Sequence, residues 1–199
     1  MSKRPRLQPI RISLVDGASV PVFFVHAECQ RADITIPFQQ VYARLYGLSA
    51  GLARLGRSDQ AQWQRVVDTQ WSRACDELCA RLDSASGAPD AYLIVPSARP
   101  AVAGGLVAAA VQLWPNAVDI SSKLTKVGSL GSLASAAAVT AALQFDNAGL
   151  TEVKLVYVLD DYIGRGHTLH GVCEVVHENL PFAKLAAGAP GVSSGFGCA

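Results

Sequence analysis

The sequence predicts an α/β fold, a mainly parallel sheet flanked by helices, with an α+β region ahead of it. Three observations carry that prediction. Strand-length apolar runs alternate with helix-length segments after residue 89, the pattern of βαβ units. Two of those runs, Ala91-Tyr-Leu-Ile-Val and Val153-Lys-Leu-Val-Tyr-Val-Leu, are nearly continuous, as in strands covered on both faces. Before residue 89 the pattern differs: short β-prone runs come first, then two amphipathic helical stretches.

In chain order, Ile10-Arg-Ile-Ser-Leu-Val and Val20-Pro-Val-Phe-Phe-Val flank Asp16-Gly17, a turn signal that predicts a hairpin. Ile34-Thr-Ile is a third β-prone run, and Pro21 and Pro37 argue for edge strands or strand ends. Val41, Leu45, Leu48, Leu52 and Leu55 step by four and three, which predicts a helix over 38–55. Ser58 is a candidate N-cap for a second helix, whose face is Trp63, Val67, Trp71, Ala74, Leu78 and Leu82. Residues 84–90 read as a loop. The apolar strand at 91–95 follows, then an Ala-rich helix over 101–114 and a short strand at Val118-Asp-Ile. A Ser/Gly/Lys-rich stretch covers 121–132 and a second Ala-rich helix covers about 133–145. The run ending in Asp160 is the strongest strand, and 168–179 reads as a helix. Residues 183–199 form a Gly/Ala-rich tail, part of it a last strand and its end loose.

Composition bounds the function. At 199 residues the chain suits one domain that folds without cross-links. Half the residues are apolar and the formal charge is +1, which excludes disorder and a chain-wide nucleic-acid footprint. Mean hydropathy is +0.25, yet the longest apolar run, 101–114, falls short of the ~20 residues a membrane span needs. The basic start (Lys3, Arg4, Arg6, Arg11) lacks the apolar stretch of a signal peptide. Five cysteines, an odd and sparse set, fit a reducing compartment, so the expected location is the cytoplasm, with no membrane partner.

The chemistry concentrates in Val156-Tyr-Val-Leu-Asp160-Asp161-Tyr162-Ile163-Gly164-Arg165-Gly166-His167-Thr168. A buried strand ends there in two carboxylates, and a Gly-x-Gly turn leads into a helix. Ligands bind off the carboxyl ends of strands in open α/β sheets. Amide groups at a helix N-terminus hold anions, glycines let the backbone approach closely, and the Thr168 hydroxyl adds a donor. Carboxylates beside such a cradle are acceptors for sugar hydroxyls.

This segment resembles the phosphoribosyl pyrophosphate (PRPP) motif of type I phosphoribosyltransferases: four apolar residues, an acidic pair, two apolar residues, and a small-residue loop ending in Gly-x-Thr. It departs from the family at Tyr162, usually aliphatic, and at Gly164, where some members carry an Asp that serves the base. The resemblance covers about residues 89–182 as a phosphoribosyltransferase-like core. Residues 1–88 are then a hood region that selects the acceptor, and 183–199 the tail. It implies that Asp160 and Asp161 meet the ribose hydroxyls and act as the catalytic pair. Gly164, Arg165, Gly166, His167 and Thr168 hold the 5′-phosphate. Ser97, Ala98 and Arg99, after the strand at 91–95, bind pyrophosphate, and Lys123 and Lys126 belong to a mobile loop. The ligand is PRPP or a nucleotide, with Mg²⁺ carried by PRPP, and a homodimer is compatible with the family. The spacing is most similar to the competence-factor F branch, whose N-terminal zinc ribbon is missing here. The implied activity is transfer of phosphoribose to a nitrogen acceptor, such as a nucleobase, with release of pyrophosphate. The alternative is a non-catalytic PRPP- or nucleotide-binding regulator, including one linked to DNA uptake through the basic N-terminal arm.

Blander readings stand beside these. The acidic pair alone also suits a magnesium-binding strand end. His26-Ala-Glu28 echoes the His-x-Glu of zinc deaminases, but no Pro-Cys-x-x-Cys follows. His26, Cys29, Cys75 and Cys79 could supply four zinc ligands, although two thiols four apart on a helix read more simply as core residues. His167 and His170 fall in or just after the loop, where a solvent-facing role is equally open.

Overall fold

The computed structural model describes residues 9–27, 57–96, 100–127 and 135–192. The β-prone run at 34–36, the helix expected over 38–55, the basic arm before residue 9 and the end of the tail lie outside the described residues. Strands β1 (Ile10–Ser13) and β2 (Ser19–Ala27) form the expected hairpin, antiparallel with Ser13 opposite Ser19. Its turn is closed by Leu14 N–H on the Ala18 carbonyl at 2.8 Å, with Gly17 at φ +86°. The Asp16 carboxylate accepts from Ala18 N–H at 2.9 Å, the local bond that makes Asp-Gly a turn dipeptide.

Helix α1 (Arg57–Ser86) comes next, so Ser58 lies inside the helix rather than capping it. Then follow β3 (Ala91–Ile94), α2 (Pro100–Leu113), β4 (Val118–Asp119), a 3₁₀ turn (Ser121–Lys123) and β5 (Leu124–Lys126). After these come α3 (Ala136–Ala141), β6 (Leu143–Phe145), β7 (Leu155–Leu159), β8 (Tyr162–Ile163), α4 (His167–Asn179) and β9 (Lys184–Val192).

The main sheet runs β1-β2-β9-β7-β3-β4, with β8 also on β9, and every pairing in it except β1–β2 is parallel. Helices cover both faces, which is the predicted mainly parallel α/β fold. On one face α1 and α2 bury Trp71, Leu78, Leu106 and Trp114 against Tyr92, Tyr157 and Leu159. On the other, α3 and α4 bury Val139, Leu169, Val172 and Val176 against Leu93, Val156 and Val158. Alternate residues of β3 and β7 thus serve opposite cores, which is why both strands read as continuous apolar runs. Two glycines set the helix spacing. A Cβ at Gly105 would collide with Trp71, and one at Gly171 would lie 2.6 Å from the Val139 side chain.

Two expectations need correction. The second Ala-rich helix does not reach residue 145: Ser135 caps it by accepting from Ala138 N–H at 3.2 Å, and it ends at Ala141. Leu143-Gln-Phe145 alternates buried and exposed and pairs antiparallel with β5 in a separate two-stranded ribbon, so strand pairing overrides the helical composition. Pro21 does not mark an edge strand, because β2 has neighbours on both sides. Pairing with β9 starts only at Val22, leaving Pro21 one residue outside it. The Gly/Ala-rich tail holds the longest buried strand of the sheet, β9, between β2 and β7. One sheet therefore draws strands from all three stretches of the chain distinguished by sequence.

Candidate functional site

Strand β7 ends where the apolar run meets Asp160 and Asp161. Both carboxylates are only 8% exposed. The Asp160 amide still belongs to the ladder, donating to the Gly188 carbonyl at 2.9 Å, and Leu159 accepts from Val95 N–H at 2.8 Å. At the next residue the ladder pattern stops: Asp161 N–H donates to the Asp160 carboxylate at 2.9 Å. Burial, and after it the neighbouring Asp161 charge, raises the Asp160 carboxyl well above its ordinary value near 3.8.

Beyond the pair, β8 is pinned to β9 at Gly191 and Val192, with Ile163 1% exposed. The loop 164–166 then turns directly into α4. Gly166 sits at the N-cap in the left-handed region, φ +83°, which glycine adopts without strain. A glycine cannot cap with a side chain, and the first turn of α4 carries no acidic residue. The first bond of the helix is His170 N–H to the Gly166 carbonyl at 2.9 Å. The amides of His167, Thr168 and Leu169 thus precede the helical bonding and point out of the helix N-terminus. Leu169 is fully buried, so the loop is anchored at both ends while Gly164 and Arg165 are exposed and His167 and Thr168 half-exposed. The arrangement places a neutral-to-cationic anion cradle beside a buried acidic pair at the carboxyl end of a parallel strand.

No family model matches the chain, and no curated protein matches it. Among solved structures, the chain is similar to the Helicobacter pylori xanthine-guanine-hypoxanthine phosphoribosyltransferase. That likeness covers 58% of this chain and 70% of the other, at 17% identity and a TM-score of 0.41.

The structure brings together Asp160, Asp161, Gly164, Arg165, Gly166, His167 and Thr168, all within one strand–loop–helix passage. Ser97, Ala98 and Arg99 lie outside the described residues; the backbone leaves β3 at Val95, one strand over from Leu159, and resumes at Pro100. Lys123 has its ammonium on the Asp146 carboxylate at 3.2 Å and the Ala148 carbonyl at 2.8 Å. Between those two, Asn147 reaches the Asn179 carbonyl at the C-terminal end of α4, so Lys123 is tied toward the end of that helix away from Gly166. Lys126 is exposed at the end of β5, just before residues outside the described set. Of the zinc alternative, Cys75 and Cys79 are fully buried in the α1 core, where burial pushes the Cys79 thiol up to about 12 and Cys75 in the same direction. The other two candidate ligands, the His26 side chain and Cys29, lie outside the described residues. Among the described residues no cluster of three metal-ligating side chains exists, and no helix is long and apolar enough to cross a membrane.

Sequence reasoning missed Gly188. Its carbonyl holds the Asp160 amide, and a Cβ there would lie 2.9 Å from the Phe23 carbonyl. The available signal was the Gly/Ala richness of the tail, which marks a strand packed too closely for side chains.

Proposed function

We propose that the protein binds PRPP as its magnesium complex at the β7–α4 junction and transfers phosphoribose to a nitrogen acceptor, releasing pyrophosphate. The observation that carries this reading is the buried Asp160–Asp161 pair leading, within five residues, into the uncapped N-terminus of α4. Asp160 and Asp161 would accept hydrogen bonds from the ribose hydroxyls. The amides from His167 onward, with the Thr168 hydroxyl, would hold the 5′-phosphate, and Arg165 adds an exposed cation beside it. Pyrophosphate would fall to Ser97, Ala98 and Arg99 after β3, and Lys126 is better placed than Lys123 to close from the neighbouring segment.

Magnesium fits this donor set as part of the substrate. The ion would take its ligands from the phosphates and water, and the buried carboxylate pair beside it offers negative charge that suits a hard cation without ligating it. When bound, the ion supplies charge neutralisation for the departing pyrophosphate. The protein's own share is positioning the sugar carbon, stabilising positive charge on the ribose through the acidic pair, and excluding water.

A calorimetric titration of PRPP with Mg²⁺ into the wild type and into Asp160→Asn/Asp161→Asn tests the reading. Binding in the wild type that falls at least 100-fold in the double variant is expected. Equal binding to both, or none to the wild type, sinks it. Saturable binding without pyrophosphate release against a panel of nucleobases would instead favour the non-catalytic regulator, a reading supported by the missing carboxylate at Gly164 and the engagement of Lys123 elsewhere.

A further inference from the structure

The geometry points to Pro190 as a positioning residue for the acidic pair: by withholding one amide from the sheet, it keeps the chain open where Asp160 and Asp161 must face the same ligand. This rests on the proposed site but not on the identity of its ligand.

Along β9, alternate residues bond the same neighbour. Lys184 donates to the Lys154 carbonyl, and Gly188 accepts from Asp160, so the even positions face β7. Position 190 is the next even position. The amide of an ordinary residue there would donate to the Asp160 carbonyl and zip β7 onto β9 through the pair. Proline has no such amide. The register shows the consequence on both flanks. Leu159 lies opposite Gly188 and Tyr162 opposite Gly191, a spacing of three on each strand, so β8 continues the line of β7 without slipping. Only the two residues between have no register partner on β9: Asp160, whose amide still donates to Gly188, and Asp161. On the other side, β2 pairs with β9 at Ala189 and again at Gly191, and skips Pro190.

In an unbroken strand, consecutive side chains point to opposite faces of the sheet. Two neighbouring carboxylates could not then serve one ligand. The break on the β9 side removes that constraint, and the Asp161 amide, which by the same alternation faces β3, donates to the Asp160 carboxylate at 2.9 Å. Pro190 is fully enclosed in the centre of the sheet, where proline normally does not occur because it costs a ladder bond.

The test is Pro190→Ala, which restores the amide, beside an ester variant with lactic acid at 190, which removes the ring without restoring it. Amide exchange and carboxyl-carbon titration by NMR are read on the free protein, and PRPP–Mg²⁺ affinity by calorimetry. The alanine amide should be protected from exchange, the Asp160 titration should shift, and affinity should fall at least tenfold. The ester variant should keep the wild-type titrations and affinity within about threefold. Titrations that superimpose for the wild type and Pro190→Ala, or a fast-exchanging amide at 190, would overturn the inference. If Pro190→Ala does not fold, an ester variant with shifted titrations also overturns it, and one with wild-type titrations supports it. A wild type that fails to bind PRPP, yet shows the titration shift in Pro190→Ala, would remove the proposed ligand and leave the positioning role standing.

Discussion

Two buried carboxylate sites, one before α4 and one within it, are built in opposite ways. Glu174, in the middle of α4, is 5% exposed and accepts from Val15 N–H at 2.8 Å and from His170 at 3.3 Å. It ties the β1–β2 turn to the helix, and His177 on Asp16 at 2.7 Å adds a second tie next to it. Asp160 is comparably buried, yet its nearest charged neighbour is another acid, which together with burial holds it toward the protonated form. A buried carboxylate matched to donors stabilises a fold, and one placed against its own kind costs stability unless a ligand uses it. The contrast sets an acid tied into the fold beside one proposed for a ligand, without reference to any relative.

That contrast can be broken by substitution. Glu174→Ala should lower stability by about 2 kcal/mol, since it strands the Val15 amide and His170 at once. Thermal unfolding should show it as a fall of roughly 4–8 °C, with PRPP affinity unchanged within about twofold. Gly166→Ala forces a side chain into the left-handed region and should cost about 1–2 kcal/mol. Unlike Glu174→Ala it should also weaken PRPP binding, because the cradle amides move with the cap; equal affinity would detach the loop from the site. Asp160 sharpens the comparison through pH. Its folded-state value lies above its unfolded one, so the folded protein binds the extra proton between the two. Its contribution is therefore most favourable below about pH 4 and is lost as pH rises through the raised value. Urea unfolding from pH 4 to 8 should show that slope in the wild type and a flatter curve in Asp160→Asn. The smallest effect belongs to Lys123→Ala, whose partner Asp146 is exposed: well under about 1 kcal/mol, with PRPP affinity unchanged. A tenfold affinity loss there would return Lys123 to the ligand.

Much of the fold was legible because local and tertiary demands agree. The β3 and β7 runs are apolar at every position since each residue meets one of the two cores, and Asp16-Gly17 makes the turn it announces. The acidic pair and the loop are contiguous in sequence, so the central passage of the site could be read directly. What failed has physical causes. Leu143-Gln-Phe145 carries helical company but takes its shape from β5, a partner nearly twenty residues away. The last strand was expected in the tail, but the sequence Lys184-Leu-Ala-Ala-Gly-Ala-Pro-Gly-Val does not announce its central place, because glycine, alanine and proline are poor strand formers. It is central because small residues are what fit between β2, α1 and β7: Gly188 lies under Leu78 and against the Phe23 carbonyl. Lys123 reads as part of a mobile loop from its position in the chain, and its bond to Asp146, 23 residues on, is a tertiary contact that no local pattern announces.

The central claim is that Asp160 is held for a ligand at the expense of the fold. Asp160→Asn tests it in a single variant, with thermal unfolding at pH 8 and PRPP–Mg²⁺ titration run on the same preparation. The account predicts opposite movements: a gain of about 1 kcal/mol, or roughly 2–4 °C in Tm, together with at least a tenfold loss of affinity. A variant that melts lower than the wild type while binding PRPP equally well would make Asp160 a structural acid like Glu174 and contradict the assignment of the site.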